Sequence, residues 1–380
     1  MSPNLLCKVF LLYIFLHTDN ARMQWSCPQL SVASTVYCSC EIPHTVRCDG
    51  TVTMDKKQTL STLLTQVKNL PPENSVTLLD ISIQNLTRLP GKLFQNVSVE
   101  GLVISTGKLE FIHNKAFFGL EKHLTALGLP ANKLTSIPTQ SINILKVLTR
   151  LDMSSNLISS IHFLPSLPDL EYLDMSRNNI TTLAAGVTQS LPHLKTLLLA
   201  ENMMESSSFS HHNLQHLSYL ETLDIAQNRL AGYLAPTTLQ RFPSNIKTLD
   251  LSFNQLQGIR GNTFRSLSSL KCLHLQGNLI EEVEDFAFLG LVSLTSLDLS
   301  HNNILTLSDE SLAGLPSLEI LSLNHNHLQV VSGLWLVGTP LLMELLVMDN
   351  DITNVEEDAF EGLENIREIN LAGEFVHQHI

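Results

Sequence analysis

From residue 76 onward the chain restates one phrase thirteen times: Leu-x-x-Leu-x-Leu-x-x-Asn-x-Leu-x-x-Leu, with any aliphatic residue allowed at the Leu slots. The restatements begin at Val76, Val99, Leu124, Leu148, Leu170, Leu194, Leu220, Ile246, Leu270, Leu294, Leu318, Leu342 and Ile366, spaced 22 to 26 residues apart and most often 24. A fixed period of this size outranks any local helix or strand preference, because one such unit cannot bury its own apolar side and must stack on its neighbours. Within Leu-x-x-Leu-x-Leu the alternation has period two, so this piece is a short strand with one buried face. Stacked coils then place their strands in one continuous parallel sheet, about 60 Å long for thirteen strands at about 4.8 Å spacing. A position near the nineteenth of each coil, filled by Phe94, Phe117, Phe264, Phe288 and Phe360, occupies the outer half. This slot accounts for fifteen Phe against two Trp and five Tyr.

The Asn slot is the most specific mark of the pattern. It holds Asn132, Asn156, Asn178, Asn202, Asn228, Asn254, Asn278, Asn302, Asn326 and Asn350 in ten successive repeats. A buried amide is tolerable only when hydrogen-bonded, and here it is placed to satisfy backbone groups that the turn leaves unpaired. The slot departs to Gln84, Gly107 and Glu374 in the first two and the last units. Atypical units are expected near the ends of an array.

Composition sets outer bounds. The chain has 380 residues, with 23 basic against 36 acidic side chains for a net charge of -13. Hydrophobic residues at 44% and charged residues at 16% exclude an intrinsically disordered chain. The acidic balance excludes a nucleic-acid partner, which would need a basic face.

The N-terminal residues 1–21 read as a secretory signal, with the apolar run Phe10 to Leu16 behind Lys8. That run is far short of the roughly 20 apolar residues a membrane span needs. No other stretch reaches that length. In an oxidising compartment Cys27, Cys38, Cys40 and Cys48 read as two disulfides, since the Cys-x-x-Cys pairs usual in structural zinc sites are missing. Four cysteines allow three pairings, and spacing does not choose among them. Cys7 leaves with the signal, so Cys272 is the odd one, in a strand slot expected to face outward. Either it bridges two copies as a homodimer, or it is a reduced, partly covered residue. The organisation expected is a signal at 1–21, a cysteine-rich cap and lead-in at 27–75, and an array of thirteen units at 76–380, the last incomplete.

The repeat, over about 305 residues, resembles the leucine-rich repeat. Cys27-Pro28, Cys38-Ser39-Cys40 and Val46-Arg47-Cys48 resemble the N-terminal cysteine cap of extracellular leucine-rich repeat proteins. Phe in the outer slot is similar to their typical class, which includes Slit-like, chaoptin-like and Toll-like ectodomains. The resemblance implies an α/β solenoid: a horseshoe with a parallel β-sheet on the concave face and an N-terminal disulfide cap. It implies the pairs Cys27–Cys40 and Cys38–Cys48. Such proteins usually close the array with a second cysteine-rich cap and often a membrane segment. Here the sequence stops inside a repeat, so an incomplete chain is expected. The implied location is secreted or on the extracellular face of the plasma membrane. The implied activity is binding an extracellular or cell-surface protein in adhesion, guidance or receptor-type recognition. A matrix component acting by self-association is the competing class.

Function is expected on the concave face, whose side chains alternate with the buried leucines. The sequence holds no Gly-rich phosphate loop, no His-Glu-x-x-His and no Gly-x-Ser-x-Gly, and a filled coil leaves no pocket for a cofactor. No enzyme, cofactor or metal is expected. The outward strand slot holds Asp80, Asp152, Asp174, Asp224, Asp250 and Asp298, either as common soluble fillers or as a ladder that steers a basic partner. Tyr172, Leu198, Phe253, Ile320, Leu346 and Met348 interrupt it with large side chains suited to interface anchors. With Arg177, His274, His301 and His325 they complete the candidate contact surface. These histidines and His327 read first as surface residues at variable slots, and otherwise as metal ligands or sensors of acid. Asn85, Asn96 and Asn179 open glycosylation sequons. The two longest repeats, around Ser206 to His212 and Ala231 to Pro236, are expected to carry a local bulge.

Overall fold

A computed structural model describes residues 26–30, 36–40, 44–51, 56–70, 75–184, 186–208, 214–239 and 242–373. The expected signal and the departing Glu374 lie outside them. The chain forms two compact units: Met1–Ile158 with Phe163–Asp174, and Ser159–His162 with Met175–Ile380. Both are parallel-strand solenoids built from the same coil.

The N-terminal unit opens with β1 (Val36–Ser39) and β2 (Thr45–Thr51), an antiparallel pair with Cys38 opposite Cys48. The disulfides are Cys27–Cys40 and Cys38–Cys48, with Cα separations of 5.8 and 4.1 Å. Helix α1 (Lys56–Lys68) follows and buries Leu60, Leu63, Leu64 and Val67, the i, i+3, i+4, i+7 stripe of an amphipathic helix. Strand β2 then pairs in parallel with β3 (Leu78–Gln84) over seven residues. The sheet continues through β4 (Gly101–Ile104), β5 (Ala126–Gly128), β6 (Arg150–Asp152) and β7 (Tyr172–Asp174). The disulfide-braced hairpin therefore covers the edge that the first coil would otherwise expose.

The C-terminal unit stacks β8 (Thr196–Leu198), β9 (Thr222–Asp224), β10 (Thr248–Asp250), β11 (Cys272–His274), β12 (Ser296–Asp298), β13 (Ile320–Ser322), β14 (Glu344–Leu346) and β15 (Glu368–Asn370) in parallel and in order. Each of the thirteen coil strands starts two residues after its repeat begins. The central residue of each, from Leu79 to Leu345, is buried, and only Ile369 in the last described coil is half-buried.

Three devices close each coil. The first is the amide. Asn254 Nδ2 donates to the carbonyls of Leu251 and, one coil back, Ile225, at 3.0 and 3.1 Å, while its Oδ1 accepts from Leu230 N–H at 3.0 Å. Asn156 in the N-terminal unit makes the same three bonds, to Met153 and Leu129 and from Leu134. Nine of the ten ladder amides are buried and Asn350 is half-buried, so each sits where unpaired backbone groups would be costly. In the second coil, where Gly107 takes the slot, Thr106 Oγ1 donates to Leu86 and to Asn132 Oδ1 in its place.

The second device is a backbone kink. The residue before every ladder Asn is left-handed, φ 52–56° at Ala131, Ser155, Arg177, Glu201, Gln227, Phe253, His301, His325 and Asp349, and 69° at Gly277. This turn directs the following amide inward. Its cost is on the order of 1 kcal/mol for a side chain with a Cβ.

The third device is the outer slot. Phe94, Phe117, Phe264 and Phe288 are fully buried, with Phe94 stacked on Phe117 at 6.1 Å and Phe264 on Phe288 at 5.8 Å. Phe360 is half-buried. The outer return is mostly turns with helical pieces of three or four residues, because 22–26 residues per coil leave no length for more. From the second of the two longest repeats, Ala231–Leu234 pairs with Gln255–Ile259 of the next coil as a parallel ribbon with a bulge at Gly232/Tyr233. Arg260 lies 3.9 Å over the Tyr233 ring there, and the Tyr233 hydroxyl donates to Glu282 at 3.1 Å.

Candidate functional site: the inner strand face and its rim

Side chains flanking each central leucine form the inner face, and parallel register fixes which of them are neighbours. In the C-terminal unit one row runs Leu198, Asp224, Asp250, His274, Asp298, Ser322, Leu346 and Asn370. In the N-terminal unit the corresponding row is Asp80, Val103, Gly128, Asp152 and Asp174.

The carboxylates have a structural use that the sequence did not disclose. Oδ1 of Asp152, Asp224, Asp250 and Asp298 accepts from the backbone N–H two residues later, at 2.8 to 3.0 Å, and Asp250 and Asp298 also accept a Ser hydroxyl at 2.6 Å. These are Asx-type turns that start the left-handed kink. Asn370 repeats the contact to Ala372 N–H, so an uncharged residue serves equally well. The negative charge is therefore surplus to the turn.

In the N-terminal unit the acidic groups are more enclosed. Burial pushes the Asp80 carboxyl above the usual range, against the pull of Arg47 at 3.9 Å. Burial also raises Asp152, with Asp174 opposite it adding to the rise and the Ser154 hydrogen bonds opposing it. Arg150 stacks over the Tyr172 ring at 5.4 Å, and the Tyr172 hydroxyl donates to Asp174 at 3.4 Å. Burial first, then Asp174 and Asp152, hold that phenol protonated.

The left-handed residues form a second row along the rim, which includes four of the candidates named from sequence. Arg177 Nε pairs with Glu201 at 2.8 Å. Phe253 is 53% exposed and its ring lies over Gly277, where a Cβ would come within 2.5 Å of it. The His301 and His325 rings stack at 4.1 Å and 17°, with Asp349 3.5 Å from His325 Nδ1. One step on, His327 Nδ1 lies 3.1 Å from Asp351. The sequence signal for this row was the recurrence of Gly277 and Gly373 at one slot.

Several placements differ from expectation. Leu198, at 5% exposed, is no open anchor, and Cys272 at 8% presents no outward thiol. His274 is 4% exposed. At roughly 4.8 Å between strands, flanking side chains cover what stands between them. No free cysteine occurs among the described residues. Tyr172, Ile320, Leu346 and Met348 are half-buried. Asn96 is exposed, while Asn85 is half-buried and accepts from Lys108 Nζ at 2.7 Å; Asn179 is half-buried. Among the described residues no group of three His, Cys, Asp or Glu is placed to hold a metal ion. No helix among them is long and apolar enough to cross a membrane.

Residues 122–180, 162–204, 218–280, 244–304, 268–328 and 317–374 match the family described as Leucine rich repeat, well over half of the chain. The chain belongs to the leucine-rich repeat family. Leucine-rich repeat relatives include chaoptin of Drosophila melanogaster, 33% identical over 135 residues, 35% of this chain and 10% of chaoptin. Toll-like receptor 10 of Bos taurus is 31% identical over 37% of this chain and 17% of the receptor. Fibromodulin of Oryctolagus cuniculus is 37% identical over 33% of this chain and 82% of its own length. The chain thus spans a small part of the first two. Among solved leucine-rich repeat structures, the mouse RP105/MD-1 complex is similar with a TM-score of 0.63 and 21% identity, over 84% of this chain and 57% of that one. A complex of Latrophilin 3, Unc5D and FLRT2 is similar at 0.57 and 18%, over 68% and 77%. These likenesses establish the fold. The repeat family and these relatives are non-enzymatic, in keeping with a filled leucine-rich repeat core.

Proposed function

We propose that this protein is an extracellular binding module that holds another protein against the inner face of its solenoid. The observation that carries the reading is the surplus charge on that face: Asp224, Asp250 and Asp298 use one oxygen for a turn that Asn370 makes without charge. Charge kept where it is not needed for folding is available to steer a basic partner. Exposed Phe253 on the adjoining rim supplies an aromatic anchor. The similar solved structures support the reading, since RP105 is in complex with MD-1 and a plant peptide hormone receptor with its peptide. The two cap disulfides fit an oxidising location, secreted or at the cell surface. Asn96, the exposed sequon, is the first glycan acceptor, checked by intact mass before and after glycan removal.

The test is capture from an extracellular protein library with the secreted chain, followed by association kinetics across salt concentrations. A monomer that takes one heterologous protein, with an on-rate falling as salt rises, supports the reading. Concentration-dependent polymers with no heterologous capture replace it with the matrix role. A salt-independent on-rate removes steering.

A further inference from the structure

Four consecutive strands of the C-terminal unit carry Asp224, Asp250, His274 and Asp298 in register. His274 therefore stands between two carboxylates, and its Nδ1 has no hydrogen-bond partner. On the rim of the next two coils His301 and His325 stack at 4.1 Å, with Asp349 beside His325 and Asp351 beside His327. The strand slots flanking the central leucines of β9–β14 contain no Lys or Arg. Lys247 precedes its strand and pairs with Glu221 at 2.8 Å; Lys271 likewise precedes β11. Glu344 is the one further charge in those slots, in register with Ile320.

We propose that this stretch docks a basic, extended segment of a partner protein at neutral pH and that its four histidines release that segment in mild acid. The inference rests on the reading that the partner is basic. Asp224, Asp250, Asp298, Glu344, Asp349 and Asp351 carry six negative charges. Protonating His274, His301, His325 and His327 sets four positive charges against those six and leaves a net of two. Histidine is the side chain whose ordinary charge change falls between pH 5 and 8, whereas carboxylates as a class stay ionised there. A protonated His274 gives Asp250 and Asp298 a counter-ion of their own, which a partner cation must then displace. On the rim two imidazolium rings at this separation repel each other. The stack opens, and Asp349 and Asp351 are neutralised from within. A metal-binding role fits less well, because stacked rings turn their faces rather than their nitrogens toward each other.

The experiment uses the whole chain and a fluorescein-labelled decapeptide of alternating Lys and Arg, with a decaglutamate peptide as control, at pH 7.4 and 5.5. Saturable binding of the basic peptide at pH 7.4, about tenfold weaker at pH 5.5, is expected. The combined H274Q, H301Q, H325Q and H327Q variant should bind equally at both pH values, and D250N with D298N should weaken binding at pH 7.4. Circular dichroism checks each variant's fold, and single H274Q, expected to lose part of the pH response, decides the matter if the combined variant fails to fold. No saturable binding of the basic peptide at pH 7.4 overturns the basic-partner reading itself. Binding that keeps its full pH response without the histidines, or ignores D250N with D298N, overturns the present inference and leaves that reading standing.

Discussion

The N-terminal and C-terminal units use one coil and present different things on it. Asn156 and Asn254 make the same bonds to the same kinds of partner, and the Phe94–Phe117 and Phe264–Phe288 stacks are near-equal in separation. The inner row diverges. In the N-terminal unit it is enclosed, with Val103 and Gly128 between carboxylates that burial pushes upward or that Tyr172 and Arg150 cover. In the C-terminal unit it sets His274 between Asp250 and Asp298 and adjoins a rim of Phe253, His301 and His325. The difference teaches that the framework residues are bound by backbone hydrogen bonding and packing, which every coil repeats. The slots between them answer to no such demand and are open to function.

If the framework is shared, equivalent truncations should cost alike. Phe117→Ala and Phe264→Ala are each expected to destabilise by about 4 kcal/mol in denaturant titration, as for a fully buried Phe. A difference above about 2 kcal/mol between them would break the equivalence of the units. Next in size, Asn254→Leu strands the N–H of Leu230 and two buried carbonyls, for about 3 kcal/mol. Thr106→Val, which removes the substitute for an amide in the N-terminal unit, should cost about 1.5 kcal/mol. Equal losses would mean that Thr106 is a full replacement.

Gly277→Ala sharpens the contrast at the rim. The new Cβ meets the Phe253 ring and adopts φ 69°, for about 1–2 kcal/mol. Adding Phe253→Ala should recover the clash but not the backbone part, leaving the double variant roughly as stable as other alanines in the left-handed slot. Thermal melts of the single and double variants check this. The smallest effect is on Asp152. Its carboxyl is raised in the fold, so protonation favours the folded state, and the stabilisation is fully present below the ordinary value of 3.8 and lost as pH rises through the raised one. Asp152→Asn, which keeps an oxygen for Ser154 N–H, should therefore raise the melting temperature slightly at pH 7 and leave it unchanged at pH 3.

Much of the coil is legible in the sequence. Period-two alternation around Leu151 or Leu297 fixes which face is buried, and ten successive Asn residues at one slot have no economical use except bonding backbone in a turn. The left-handed kink was harder to read, because Ala131, Glu201, Phe253 and His325 share no chemistry and only Gly277 and Gly373 hint at a positive φ. The second role of the Asp row was hidden for a related reason: an Asx turn depends on the path of the chain two residues later. The covering of Leu198, Cys272 and His274 is a property of neighbours 22 to 26 residues distant, which alternation alone does not report.

The sequence by itself determined the number of coils, the start of each strand, the buried spine and the cap cysteines, because each follows from local periodicity and from the need to bury apolar area. Tertiary structure decided the rest: that Asp250, His274 and Asp298 stand side by side, that two histidines stack, and that Phe253 lies down on a glycine. Those facts depend on register between coils, and register sets which residues far apart in the chain come within a few ångströms of one another.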